Sequence, residues 1–239
     1  MLPGLLIALA LLARCAHAYQ LRTGGKWATG GKWASAAKAF KANGRLLYRE
    51  NFVEDAVFEQ LREECRGMRR YFKRELDCIA TGRMGCCVDA QSLAHRSMMS
   101  AEISEALSAI TGRTLVPSEY PVELRMYTTH AEMGWHQDDT LYVEPQVEVV
   151  LTLENTSDSE TEWIDARGER HAKWTAPNSA LIVTAGDDGP LHRVTPLKRG
   201  ERTILKLCYT STDEKCDDFD SHINSFPSAK QTKGSKKRR

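Results

Sequence analysis

Hydrophobic residues follow a helical spacing in the first half of the chain. Between residues 51 and 77 they recur every three or four positions with charged residues between them, which predicts a helix that ends near Asp77. A second helix is predicted over residues 100–110, because Gly112 follows its last turn as a stop signal. Residues 45–119 are therefore predicted to form a helical support region.

Beyond Pro121 the pattern changes to short runs that are rich in β-branched residues and bounded by turn residues. These runs predict strands over residues 122–127, 147–153, 180–184 and 202–209, with weaker strand signals at 160–164 and 192–194. Short strands without helices between them favour a sandwich or barrel over a parallel sheet. The predicted fold class is α+β, with a mainly β core over residues 120–212.

Length, composition and charge are those of one domain with appendages. The chain has 239 residues, 41% of them hydrophobic, and a formal net charge of +1, which gives no global attraction to nucleic acid or acidic membranes. Residues 213–220 are acidic, whereas residues 230–239 carry only positive charges. The tail over residues 213–239 is predicted to be disordered; nuclear import or polyanion binding is the alternative for its basic end.

The N-terminus has the pattern of a secretory signal. An apolar run over residues 5–12, too short to span a membrane, is followed by the small-residue cleavage pattern Ala16-His17-Ala18. We therefore expect a signal peptide over residues 1–18 and a location in the ER lumen or outside the cell. The alternative is a two-part plastid signal, because the next stretch is rich in Ala, Gly, Ser and Lys and has no acid before Glu50.

A tandem repeat follows the predicted signal. The hexapeptide TGGKWA occupies residues 23–28 and again 29–34, and two copies are too few for a solenoid. Residues 19–44 are interpreted as a flexible linker. Six cysteines follow the signal, and the sequence leaves their pairing open: Cys65, Cys78, Cys86, Cys87, Cys208 and Cys216.

His136 and Asp138 form a His-x-Asp pair near the predicted core strands. Residues i and i+2 of a strand point to the same side, so both can reach one metal while Asp139 points away. A third ligand must come from elsewhere: His171 lies in a predicted loop, and His192 opens a predicted strand, which makes His192 the better candidate. Two imidazoles and one carboxylate on one face of a metal are the ligand set of non-haem Fe(II) oxygenases.

Residues of about 120–210 resemble the double-stranded β-helix, or jelly-roll, core of the Fe(II)/2-oxoglutarate-dependent dioxygenases, in particular the prolyl-4-hydroxylase-like branch. Each motif alone is weak, and the resemblance depends on their order and spacing. It is carried by residues 124–127 (LRMY), 135–138 (WHQD), 177–179 (PNS), 192–196 (HRVTP) and 200–202 (GER).

The resemblance implies a set of residue roles. His136, Asp138 and His192 would bind Fe(II), and Arg202 would pair with the distal carboxylate of the cosubstrate 2-oxoglutarate, a bidentate geometry for which arginine is suited. Further cosubstrate contacts are implied for Tyr127 and, more weakly, Thr152, and ascorbate is a further cofactor candidate. The implied reaction hydroxylates a C–H bond of a protein or peptide side chain, or of a small molecule, with release of succinate and CO2.

Trp135, Asp139 and Lys206 are weaker candidates for the substrate pocket. If Arg202 faces the interior, strand alternation also turns Ile204, Lys206 and Cys208 inward. A buried ammonium needs a partner, so Lys206 is expected to contact an anionic substrate group or a neighbouring acid. The alternative is a bulge that returns Lys206 to solvent.

Two other classes of protein are weighed against the oxygenase: a non-catalytic metal- or ligand-binding barrel, and an interaction protein that works through the tandem repeat and the basic tail. The complete set of metal ligands argues against both. A nucleic-acid demethylase of the same superfamily is also disfavoured, because Cys208 stands where a second arginine would be expected. Nucleic acid is therefore not an expected substrate, and no stable membrane span is expected.

Overall fold

The computed structural model describes residues 30–76 and 79–225. Its helices are α1 (Gly30–Ala42), α2 (Asp55–Met68), α3 (Leu93–Met98), α4 (Ala101–Thr111) and α5 (Phe219–Ser225), with a 3-10 turn at Arg69–Tyr71. Its strands are β1 (Leu46–Arg49), β2 (Lys73–Arg74), β3 (Ala80–Cys87), β4 (Val116–Pro117), β5 (Glu123–His136), β6 (Val147–Asn155), β7 (Thr161–Ile164), β8 (Arg170–Lys173), β9 (Ser179–Thr184), β10 (His192–Val194) and β11 (Arg202–Thr210).

The strands form an antiparallel, jelly-roll-like sheet in the order β1-β9-β6-β11-β5-β10-β7-β8, with β3 also paired to β5. Strand β5 is long enough to pair with two partners in succession: its first residues pair with β11, and its last residues pair with β10. Buried side chains of β6, β9 and β11 fill the core. The prediction of a mainly β core with supporting helices is confirmed.

All six predicted core strands are present, and β5 and β6 extend beyond their predicted ends. Helix α4 is also confirmed: the Ser100 hydroxyl caps its first turn, and Gly112 ends it with a φ of 75°. The first helix is shorter than predicted, because the chain turns after Tyr71 into β2 and β3, which add to the sheet. Strand β3 contains only one β-branched residue, a threonine. Its pairing with β5, rather than its own β-propensity, therefore explains why this segment is a strand.

Two predictions of disorder are wrong in part. Within the predicted linker over residues 19–44, helix α1 buries Ala36 and Phe40. Within the predicted tail over residues 213–239, helix α5 buries Phe219, whose ring lies edge-on to that of Tyr142 at 5.3 Å. The predicted signal peptide, most of the tandem repeat and residues 226–239 lie outside the described residues, so these predictions stay as they were.

Two further findings concern cysteines and membranes. Among the described residues the thiols of Cys65, Cys86, Cys208 and Cys216 are free; Cys78 lies outside them. Burial raises the pKa of the Cys65 and Cys86 thiols to about 12, so neither is a thiolate at neutral pH. Within the part of the chain described here, no helix has the length and apolar character needed to cross a membrane.

Asn178 joins the support region to the β core. Its side-chain Oδ1 accepts a hydrogen bond from the Val53 amide at 3.1 Å, and its Nδ2 donates one to the Val53 carbonyl at 2.9 Å. The residue is buried and has a φ of 60°, in the left-handed region.

We expect Asn178→Ala to lower the free energy of unfolding by about 2–4 kcal/mol, since it removes two buried hydrogen bonds and places a Cβ-bearing residue without local hydrogen bonding at positive φ. Asn178→Gly should lower it by about 1 kcal/mol less, because glycine tolerates this φ. Urea denaturation of both variants measures the difference. Equal losses would show that the backbone conformation contributes nothing.

Candidate metal centre

His136, Asp138 and His192 meet although they come from separate parts of the sequence. His136 ends β5 and His192 begins β10, and the two residues are direct cross-strand partners. One ligand atom of each of the three side chains lies within 4.8 Å of the other two. His192 Nε2 is 3.4 Å from Asp138 Oδ2, and His136 Nε2 is 3.8 Å from Asp138 Oδ1. The antiparallel register of β5 and β10 therefore builds the predicted cluster.

The hydrogen bonds of the two imidazoles orient them toward this cluster. His136 Nδ1 is 2.9 Å from the Gly134 carbonyl, and His192 Nδ1 is 3.1 Å from the Pro190 carbonyl. A carbonyl oxygen only accepts, so each Nδ1 carries the proton, and each Nε2 of the neutral ring has a free lone pair. His136 Nε2 is buried and has no hydrogen-bond partner, which is the environment of a metal-binding nitrogen whose other nitrogen is fixed by the backbone.

The structure distinguishes between residues that the sequence offers as alternative metal ligands. The Asp138 side chain is 9% exposed and faces the two histidines, whereas the Asp139 side chain is 78% exposed. His171 lies in strand β8 rather than in a loop; its Nε2 bonds to Asp165 at 2.9 Å, and its ring stacks on Trp163. The structure thus brings His192, not His171, to the His-x-Asp pair.

Protonation of the cluster is opposed by its environment. Burial, with help from the neighbouring His192, lowers the pKa of His136 to about 4. Burial alone would raise the pKa of Asp138, but the Lys206 ammonium and the two imidazoles hold it well below its ordinary range. At neutral pH the cluster therefore offers one carboxylate and neutral His136, the forms that bind a metal.

The lowered pKa of His136 predicts how the stability of the metal-free protein depends on pH. The unfolded chain takes up a proton at this histidine near pH 6.5, the folded chain only near pH 4, so stability falls as the pH drops between these values. We expect a loss of about 1–3 kcal/mol between pH 7 and pH 4.5 from this residue. Urea denaturation in the presence of a chelator measures it, and His136→Phe should show a correspondingly shallower loss; equal slopes would contradict the assignment.

Arg202 is a buried arginine of the β core, at the start of β11. It is 2% exposed, its Nη1 donates to the Thr161 hydroxyl at 2.8 Å, and its Nε has no hydrogen-bond partner. Among the described residues no carboxylate lies within ion-pair distance of its guanidinium. Burial lowers the pKa of Arg202, which still leaves it charged. A buried cation without a counter-ion is costly, so the site is suited to an anionic ligand.

The two other predicted cosubstrate residues lie near Arg202. Thr152 is buried on β6, its hydroxyl has no hydrogen-bond partner, and it pairs across the strands with Ile204. Tyr127 is the cross-strand partner of Arg202, and its buried hydroxyl accepts a hydrogen bond from Arg83 at 3.2 Å. The hydroxyl of Thr152 is free to bind a ligand, whereas that of Tyr127 is already held; a cosubstrate role stays a prediction for both.

A cleft of about 570 Å³ opens beside His136 and Asp138. Lys206 and Asp139, both predicted pocket residues, line it, and the Lys206 side chain is only 15% exposed. Its ammonium contacts two neighbouring acids, Asp138 and Glu148. A neighbouring acid is one of the two partners that the sequence analysis expects for Lys206. Trp135 is not part of this lining; the guanidinium groups of Arg170 and Arg193 lie over its ring, because strand alternation turns it away from His136. Its pocket role stays a prediction.

The sequence reasoning missed the charged wall of this cleft. Arg83 pairs with Glu75, and Arg125 pairs with Glu75 and Glu123, all with buried side chains. Strand alternation places Glu123, Arg125 and Tyr127 on one face of β5, and this signal was available. Glu75 and Arg83 give no such signal, since Glu75 follows a two-residue strand and Arg83 lies in a strand without a hydrophobic pattern. Thr161, which binds Arg202, was likewise missed.

Comparisons with known proteins find similar folds but no similar sequences. No protein-family sequence model matches the chain, and no curated protein sequence is similar enough to match it. Solved structures match. A prolyl-4-hydroxylase from Pseudomonas putida superimposes with a TM-score of 0.61 at 18% identity, covering 75% of this chain and 99% of that one.

Two further structures show the range of chemistry on this fold. A prolyl hydroxylase from Trichoplax adhaerens, in complex with a peptide fragment of the hypoxia-inducible-factor oxygen degradation domain, has a TM-score of 0.62 at 13% identity and covers 76% of this chain and 90% of its own. The epimerase SnoN, in complex with Fe3+, α-ketoglutarate and nogalamycin RO, has a TM-score of 0.63 at 10% identity, with 77% and 85% covered. The chain therefore has the fold of the 2-oxoglutarate–Fe(II) oxygenases, including the prolyl-4-hydroxylases.

Proposed function

We propose that the chain is an Fe(II)- and 2-oxoglutarate-dependent dioxygenase that hydroxylates a C–H bond. One observation carries the proposal: the ligand atoms of His136, Asp138 and His192 converge on one point, beside strands that hold an arginine with no acidic partner among the described residues. Fold similarity alone would not name the reaction, since an epimerase shares the fold.

The residues fit the proposed cofactors. Two neutral imidazoles and one carboxylate form the facial ligand set of non-haem Fe(II) sites, which leaves positions open for other ligands. The Arg202 guanidinium, with the unpartnered Thr152 hydroxyl in the same core, suits the distal carboxylate of 2-oxoglutarate. His136, Asp138 and His192 would hold the iron, and Arg202 would hold the cosubstrate.

Bound iron and 2-oxoglutarate would supply the oxidation of a C–H bond by O2, with conversion of 2-oxoglutarate to succinate and CO2. The chain's own residues provide position and environment. The Gly134 and Pro190 carbonyls fix the two imidazole rings. Arg202 is buried, so a cosubstrate carboxylate bound to it would be shielded from water. Ascorbate is proposed as an auxiliary reductant.

The cleft of about 570 Å³ is proposed to admit the substrate, a protein or peptide side chain or a small molecule. Its lining combines Tyr120, Met133 and Leu141 with charged side chains. Among the similar structures one holds a peptide fragment and another a natural product, so both classes belong in a substrate screen. Nucleic acid is not proposed, since the Cys208 thiol is buried at the position where a demethylase would have an arginine.

A location in the secretory pathway is proposed from the signal-like N-terminus, with a plastid as the alternative. The N-terminal sequence of the protein purified from its native cells tests this. Cleavage after Ala18 supports the proposal, and an intact Met1 contradicts it.

Formation of succinate from 2-oxoglutarate, with Fe(II) and O2 present, tests the function. The wild type should form succinate slowly without substrate and faster with a true substrate. His136→Ala should form none, whereas His171→Ala should match the wild type, because His171 bonds to Asp165 away from the cluster. A folded wild type that binds metal and 2-oxoglutarate but forms no succinate would instead be a non-catalytic barrel.

A further inference from the structure

The two carboxylate oxygens of Asp138 have different surroundings. Oδ1 accepts a hydrogen bond from Lys206 Nζ at 3.2 Å, whereas Oδ2 lies 3.4 Å from His192 Nε2. An oxygen that already binds an ammonium is a poorer metal ligand than its free neighbour, since the cation withdraws charge from it and repels a second cation. Oδ1 also lies 3.8 Å from His136 Nε2, so both oxygens face the cluster, but only Oδ2 is free of the ammonium.

A second acid holds the ammonium in place. Lys206 Nζ forms an ion pair with Glu148 Oε2, and the Glu148 side chain is 2% exposed. The amide of the buried Gln146 donates to the other Glu148 oxygen at 3.1 Å. The Lys206 side chain is 15% exposed, and its ammonium lies between the carboxylates of Asp138 and Glu148.

This arrangement also decides between the two partners expected for Lys206. Two acids face the one ammonium, so the charge of Lys206 is already balanced within the wall of the cleft. An anionic substrate group is therefore not needed as its counter-ion. The ammonium therefore acts on Asp138, to which it donates a hydrogen bond.

We infer that Lys206 and Glu148 form a positioning pair that leaves only Oδ2 of Asp138 to bind the iron. The inference rests on the proposed function. An aspartate binds a metal through one or two oxygens, and a second oxygen would fill a position of a six-coordinate ion. With Oδ1 held by Lys206, three positions stay open, two for a chelating 2-oxoglutarate and one for O2. The pair therefore sets the number of open positions at the metal.

Counting the waters on bound Mn(II), used in place of iron without 2-oxoglutarate, tests the inference. Broadening of the Mn(II) electron paramagnetic resonance lines in ¹⁷O-water reports this number without any turnover. Three protein donor atoms on an octahedral ion leave room for three waters, the count expected for the wild type. Lys206→Met/Glu148→Gln removes both members of the pair together and should reduce the count to two, because Oδ1 is then free to bind the metal.

The exposed ion pair between Lys173 and Glu50 gives a matched control. Lys173→Met/Glu50→Gln carries the same two changes and should keep three waters and the wild-type affinity. If the first double variant does not fold, Lys206→Gln gives the same comparison without the ammonium.

Each failure has its own signature. A folded variant without Lys206 that keeps three waters overturns the inference, and so does a wild type with two waters, which needs no variant. A folded wild type that binds no Mn(II) overturns the proposed metal site instead.

Discussion

Replacement of Arg202 by methionine is expected to weaken 2-oxoglutarate binding by about 10²–10³-fold and to leave metal binding unchanged. The guanidinium is buried, its only described hydrogen bond goes to Thr161, and no described acid pairs with it. Loss of one partner from a buried, hydrogen-bonded charge pair costs about 2–5 kcal/mol in binding, and every 1.4 kcal/mol is about tenfold.

The same substitution should not destabilise the fold of the ligand-free protein. Methionine fills much of the volume of arginine and removes a desolvated charge, and such exchanges of buried charged groups for apolar ones are often neutral or stabilising. We therefore expect weaker binding together with an equal or higher melting temperature. Calorimetric titration and thermal denaturation measure the two effects.

The exposed Arg199 provides the control, since its side chain is 83% exposed. Arg199→Met should change neither 2-oxoglutarate affinity nor melting temperature. If Arg202→Met binds 2-oxoglutarate as the wild type does, the anion site lies elsewhere. If it unfolds, the guanidinium has a structural partner that this account does not include.

Replacement of His136 by alanine is expected to abolish stoichiometric metal binding. His136 supplies one of three ligands, and its Nε2 has no hydrogen-bond partner. Loss of an outer-shell group already weakens a metal site by about 10–100-fold, so loss of a direct ligand should exceed that range. Folding should survive, because His136 ends a strand rather than filling the core.

Metal content after dialysis against limiting Fe(II), measured under anaerobic conditions, checks this prediction. His171→Ala is the matched control, since that histidine also lies in a strand and bonds to an aspartate. Retention of one metal per chain by His136→Ala would remove this residue from the ligand set. Loss of metal from His171→Ala would place a metal at its own cluster with Asp165.

The features of this site that depend on local spacing could be predicted from the sequence. The i and i+2 rule predicts His136 and Asp138 on one side and Asp139 outward, and the side chains are so placed. Strand β5 ends at His136, however, so Asp138 reaches the cluster from the segment that follows the strand. The same alternation turned Lys206 inward, into a cleft where it meets acids. The prediction of His192 over His171 is also correct about proximity. The predicted loop at His171 is not the reason, since His171 lies in strand β8; the pairing of β10 with β5 places His192 opposite His136.

Other parts depend on contacts between distant segments, which no local pattern encodes. Strand β3 is stabilised by its hydrogen bonds to β5. Helix α1 is stabilised by the burial of Ala36 and Phe40. In the sequence, Glu148 is a single charged residue within an apolar strand, and this pattern does not indicate its partner. Only the pairing of β6 with β11 brings it to Lys206, and only the pairing of β2 with β3 brings Glu75 to Arg83.

The most direct test of the central claim is an anaerobic titration of the protein with Fe(II) and 2-oxoglutarate, which follows the visible charge-transfer absorption of a ketoacid chelated to iron. We predict an absorption band that saturates at one equivalent of each in the wild type. His192→Ala should lack the band, and Arg202→Met should require a far higher 2-oxoglutarate concentration. A folded wild type that binds iron yet gives no band at any 2-oxoglutarate concentration would contradict the account.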